Sequence, residues 1–65
     1  MMVTVNGEEV PVDENCSVGA LLEQLDFPEK GIAVALDATV LPRSQWDRTL
    51  SDGATVEVLT AVQGG

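Results

Sequence analysis

A two-layer α+β domain, with one helix laid across one face of a single mixed sheet of four or five strands, is what this chain of 65 residues predicts. Three features carry that expectation. Asn6-Gly7 stands between two short alternating apolar segments. Val18, Leu21, Leu22 and Leu25 fall at i, i+3, i+4 and i+7. An apolar strand-like run, Val56 to Gln63, comes last, directly before Gly64-Gly65.

The elements follow in order. Val3-Thr4-Val5 and Val10-Pro11-Val12 read as two antiparallel strands around a tight Asn-Gly turn. Pro11 has no N–H to give to a ladder, which places the second strand at a sheet edge. Ser17 is a good N-cap, and the stripe from Val18 to Leu25 predicts an amphipathic helix of about ten residues. Pro28 disfavours helical geometry at Phe27 and so predicts a stop near Asp26. Cys16 before the cap and Leu21 at the fourth helical position suit a hydrophobic staple. Gly31 opens Ile32-Ala33-Val34-Ala35-Leu36, with large residues on one face and alanines on the other. Asp37-Ala38 is a turn into a short strand, Thr39-Val40-Leu41. Residues 42–49 form an irregular connection, with Trp46 expected to pack beneath it. Asp52-Gly53 turns into the last strand, where Val56 and Val58 face the helix and Thr55, Glu57 and Leu59 face away. Pairing parallel to the first strand would make this last strand central.

Composition narrows the functions. Eleven acidic residues oppose three basic ones, for a formal net charge of −8. Such a surface repels nucleic acid and suits a partner with a basic face. The chain has one cysteine and no histidine, so neither an internal disulfide, a Cys-His pair nor a zinc cluster can be assembled. That cysteine usage predicts a reduced, cytoplasmic setting, and no segment is apolar for long enough to span a bilayer. So short a chain can hardly wall a water-excluding cleft around two carboxylates, which speaks against a free-standing enzyme.

Gly64-Gly65 is the most informative pair. Two glycines cannot pack, and they lose more backbone entropy on ordering than any other residue. A tail without side chains makes sense where the terminal carboxylate must be threaded into another protein's active site. The expected organisation is therefore one domain over 1–62 and a flexible tail over 63–65.

With the tail go the segments Ala35-Leu36-Asp37-Ala38-Thr39-Val40-Leu41-Pro42-Arg43-Ser44-Gln45-Trp46 and Val56 to Gly65, and the helix Leu21-Leu22-Glu23-Gln24-Leu25. Together they resemble the thiamine-pathway sulfur carrier proteins, the ThiS family, which have the ubiquitin-like β-grasp fold. The Pro42-Arg43-Ser44-Gln45-Trp46 segment is the more specific signal, since diglycine ends are shared by all such carriers. Asp37 departs from the asparagine expected in the strand-strand turn, a change such turns tolerate.

The resemblance implies a protein co-substrate. An adenylating enzyme of the ubiquitin-activating type would use ATP to turn the Gly65 carboxylate into an acyl-adenylate, with no cofactor or metal held by the carrier. Sulfur from a persulfide donor, such as a cysteine desulfurase, would replace AMP and leave a thiocarboxylate. Thiazole synthase would take that sulfur into the thiazole ring. Gly64, Gln63 and Val62 would form the threaded stem. Strand alternation, apart from the resemblance, puts Leu59, Ala33 and Ala35 on the outward face, as either a docking patch or an incidental surface leucine beside alanines, and Arg43 would be either a partner contact or half of a surface ion pair. The other readings are a small subunit of molybdopterin synthase, a ubiquitin-like protein modifier and a β-grasp binding module without chemistry. Neither nucleic acid nor membrane is an expected partner.

Overall fold

The computed structural model describes residues 1–60. Strands β1 (Met2–Val5) and β2 (Glu8–Pro11) pair antiparallel through Asn6-Gly7. Both turn residues have positive φ, 49° and 86°, as a type I′ hairpin requires. Helix α1 spans Val18–Gln24. Strands β3 (Ile32–Leu36) and β4 (Thr39–Leu41) form a second hairpin across Asp37-Ala38, again with positive φ at both residues. A single 3₁₀ turn, Arg43–Gln45, precedes β5 (Thr55–Thr60). The strand order is β2-β1-β5-β3-β4, with β5 central, parallel to β1 and antiparallel to β3. β2 with its Pro11 lies at the edge, as expected.

The core sits between the sheet and α1. Val3, Val5, Val34, Leu41, Val56 and Val58 point inward from the strands, and Val18, Leu21 and Leu22 meet them from the helix. Cys16 and Leu21 are both buried in this core, which suits the staple. Leu25 is only partly buried, packed at its margin.

The helix is shorter than the ten residues expected, at seven, and Pro28 is not what stops it. Asp26 adopts φ 60°, its N–H donates to Glu23 O, and the Phe27 N–H donates to Leu22 O at 2.9 Å. This is a Schellman closure, with aspartate in the position usually given to glycine. At the other end the crossover loop satisfies the free amides. The Val18 N–H donates to Arg48 O and the Gly19 N–H to Trp46 O, while Ser17 Oγ accepts from the Ala20 N–H.

The parallel β1–β5 ladder has only two Cα pairs, Thr4 with Thr55 and Val5 with Val56. The Asn6 side chain extends it by a rung. Its Nδ2 donates to Val58 O at 3.2 Å and its Oδ1 accepts from the Val58 N–H at 2.8 Å. One residue thus makes the turn, because asparagine tolerates positive φ, and pins the middle of β5 at Val58. Asn6→Ala removes both bonds and places a less tolerant residue at φ 49°. The expected loss is about 1–3 kcal/mol, read as a lower denaturant midpoint with an unchanged slope. Asn6→Gly keeps the turn geometry and is expected to retain part of that loss, which isolates the rung.

Candidate functional site

On the face of the sheet away from α1, the alternation of three adjacent strands brings Ala33, Ala35, Val40 and Leu59 together. Ala33 of β3 is in register with Leu59 of β5, and Ala35 with Val40 of β4 and Glu57 of β5. The two alanines form a low floor. Val40 and Leu59 stand as walls on either side, 74% and 71% exposed. Together with Ala38 and Glu57 they enclose a shallow depression of about 220 Å³. The patch expected from Leu59, Ala33 and Ala35 is therefore assembled, although Ala35 is half-buried rather than open.

Val40 was missed as its fourth member. The alternation of Thr39-Val40-Leu41 contained the signal: once Leu41 is in the core, at 4% exposure, Val40 must point outward. An exposed apolar patch on a domain this acidic is a feature of interaction surfaces.

Arg43 borders this patch, lining a neighbouring depression together with Ala33 and Val40. Its guanidinium sits over the Trp46 indole, 5.7 Å from the ring centroid, a cation–π arrangement. Trp46 is half-buried, and its Nε1–H donates to Leu41 O at 3.2 Å, which ties the irregular connection to the end of β4.

The last described pair of the sheet is Ile32 with Thr60, so the chain leaves β5 beside the start of β3. Val62, Gln63, Gly64 and Gly65, the expected stem and reacting terminus, lie outside the described residues, as does the boundary placed at residue 62.

Cys16 takes no part in this surface. Its Sγ–H donates to Ser17 O at 3.4 Å, and burial, followed by the nearby Asp13 carboxylate, pushes its pKa up. Because the folded pKa lies above the unfolded one, the stability it confers is present at neutral pH and is lost as pH rises through the raised value. Iodoacetamide is expected to alkylate Cys16 slowly in the native protein and rapidly in denaturant, with stability falling on the alkaline side. Native alkylation as fast as in denaturant would contradict the burial. Among the described residues there is no group of three or more His, Cys, Asp or Glu side chains placed to hold a metal ion, and no helix long and apolar enough to cross a membrane.

A five-stranded mixed sheet with a central last strand, a single helix across one face and an apolar patch on the other defines a ubiquitin-like β-grasp domain. The ThiS family model matches residues 2–65, diglycine included, and the chain belongs to that family. It is 40% identical over 65 residues to the sulfur carrier protein ThiS of Thermus thermophilus, covering 98% of this chain and 100% of that one. With the sulfur carrier protein ThiS of Escherichia coli the identity is 30% over 66 residues, covering both chains fully. The crystal structure of a thiamine biosynthesis protein, ThiS, from Geobacter metallireducens superposes with a TM-score of 0.81 at 38% identity, with both chains covered completely.

Proposed function

We propose that this chain is a sulfur carrier of thiamine biosynthesis, a co-substrate acted on by enzymes rather than a catalyst. The observation that carries this reading is membership of the ThiS family over residues 2–65, which includes the glycine pair that would bear the sulfur. A carboxylate is a poor electrophile because its charge repels nucleophiles. An adenylating enzyme would transfer AMP from ATP to the Gly65 carboxylate, releasing pyrophosphate and giving a mixed anhydride with a good leaving group. The terminal sulfur of a protein persulfide would then attack the Gly65 carbonyl carbon and expel AMP. A second thiolate would cleave the resulting acyl disulfide, leaving the thiocarboxylate on Gly65 and a disulfide on the donor. Thiazole synthase would be the acceptor of that sulfur.

The scaffold suits the task. Five residues follow Thr60, and a fully extended run of that length spans at most about 18 Å, enough to carry a terminus from the sheet into a neighbouring active site. The glycines would let it pass through a channel that admits no side chain. The patch of Val40, Leu59, Ala33 and Ala35 would dock against the enzymes that receive the tail.

The test is the intact mass of the protein after incubation with the host's adenylating enzyme, ATP and a persulfide donor. The expected result is a gain equal to the exchange of oxygen for sulfur, localised to the C-terminal fragment. Localisation separates it from oxidation of Met1, Met2 or Trp46, which adds nearly the same mass. An unchanged terminus beside an active enzyme overturns the carrier reading, and attachment of Gly65 to lysines of other proteins replaces it with a tagging role.

A further inference from the structure

The helix-bearing side holds a groove of about 420 Å³, set between α1, the Phe27–Glu29 segment and the connection around Trp46. Phe27 and Trp46 are the only aromatic residues of the chain, and both line this groove half-exposed. Large aromatic side chains dominate core energetics in so small a domain, and they are also the preferred anchors of interfaces. Leu22 forms the floor, while Glu23, Glu29 and Asp47 stand exposed on the rim. The one lining cation, Arg43, is drawn over the Trp46 ring.

The walls are fixed in place. Trp46 O accepts from the Gly19 N–H at 2.8 Å, the indole donates to Leu41 O, and the Schellman closure holds Phe27 against the end of the helix. The groove is thus preformed, which lowers the cost of filling it. It also leads toward the tail. A second depression of about 370 Å³, which Lys30, Ala33 and Val40 also line, shares Glu29, Arg43 and Trp46 with it and runs to Ile32, the partner of the last described residue, Thr60.

We propose that this groove is a second docking site, for the adenylating enzyme, and that it takes a segment pairing an aliphatic side chain with a lysine or arginine. This rests on the carrier reading above. The aliphatic group packs on Leu22, Phe27 and Trp46, and the cation faces the rim carboxylates. The choice of enzyme follows from chemistry. A site that brings a terminal carboxylate to a nucleoside triphosphate needs cations to offset their negative charge, and the approach to it would share that positive field. The groove connects through the second depression to Ile32, where the chain departs toward that terminus, so the acidic rim would meet that positive surface. Through the second depression, which Ala33 and Val40 also line, it is continuous with the outward patch, so one partner could cover both.

The experiment compares the affinity of the host's adenylating enzyme for the wild-type chain and for two charge-reversed variants, each checked for unchanged thermal unfolding. Glu23→Lys with Glu29→Lys alters the rim. Glu8→Lys with Glu9→Lys makes the same change in net charge on edge strand β2. The rim variant is expected to bind about tenfold or more weakly, with a flatter salt dependence, and the β2 variant to stay within about twofold. Equal losses in both variants, or no loss in either, overturn the groove as a docking site. A loss confined to thiazole synthase overturns the assignment to the adenylating enzyme. Thiocarboxylate formation on the wild-type chain in the same preparation reports on the carrier reading separately, and its absence removes the basis of the inference.

Discussion

Gly65→Ala is expected to lower the rate of thiocarboxylate formation by about 100-fold or more while leaving the folded domain unchanged. The two halves of that expectation have different origins. Residue 65 lies beyond the last described strand, β5, which ends at Thr60, and the buried core among the described residues runs from Val3 to Val58. That core is formed without residue 65, so circular dichroism and the thermal midpoint are expected to match the wild type. The chemistry has a large stake. A methyl group on residue 65 branches the chain at the atom next to the carboxylate, where a channel shaped for glycine would leave no room. A displacement of about 1 Å from the attacking geometry is enough for a loss of that order. The measurement is the rate at which the C-terminal fragment gains sulfur, compared at saturating adenylating enzyme. A normal rate would show that the tail is not threaded through a tight channel and would remove the argument from its lack of side chains.

Much of this architecture was legible in the sequence because local signals and global packing agreed. Asn6-Gly7 and Asp37-Ala38 each specify a turn, and both turned out to have positive φ at both central residues. Of the stripe Val18, Leu21, Leu22 and Leu25, the first three are buried and Leu25 partly so, and the alternation along β5 correctly separated Val56 and Val58 from Glu57 and Leu59. What was not legible depends on residues distant in sequence. The parallel β1–β5 pairing is extended by a side chain, Asn6 reaching Val58, and nothing at residue 6 announces a partner 52 positions away. Helix termination was misread for a related reason. Pro28 gave a plausible stop, but the chain ended its helix two residues before Asp26, which takes positive φ and lets Phe27 close back on Leu22. Aspartate is a weaker marker of that geometry than glycine.

The candidate site divides along the same line. Leu59, Ala33 and Ala35 could be placed on one face by alternation alone. Val40 joined them only once β4 was seen beside β3. Arg43 offered a charge with no direction until its position over Trp46 was known. The groove between Phe27 and Trp46 was invisible to pattern, since those residues are 19 apart in the chain and lie in two separate connections.

Leu21→Ala is expected to be the most destabilising truncation in the chain, whereas Leu59→Ala is expected to cost almost nothing in stability. Leu21 is 0% exposed and heads the fully buried side chains by volume; Leu59 is 71% exposed. Removing a buried leucine side chain costs about 2–5 kcal/mol, through lost transfer energy and the cavity left behind. A domain of this size commonly draws no more than about 3–5 kcal/mol from its core, so the Leu21 variant is expected to be largely unfolded at ambient temperature. Neighbours cannot easily collapse into the gap, because Val18 and Leu22 flank it on the same short helix and Val3, Val34 and Val56 oppose it from strands fixed by the sheet. Truncating Leu59 removes an exposed side chain, and such changes stay within about 0.5 kcal/mol. Chemical denaturation of the two variants measures the contrast directly. If Leu59→Ala lost as much as Leu21→Ala, the outward face would be part of the core and could not be a docking surface. If it is stable as expected, any loss of partner affinity in the same variant belongs to the surface itself, since the fold beneath it is unchanged.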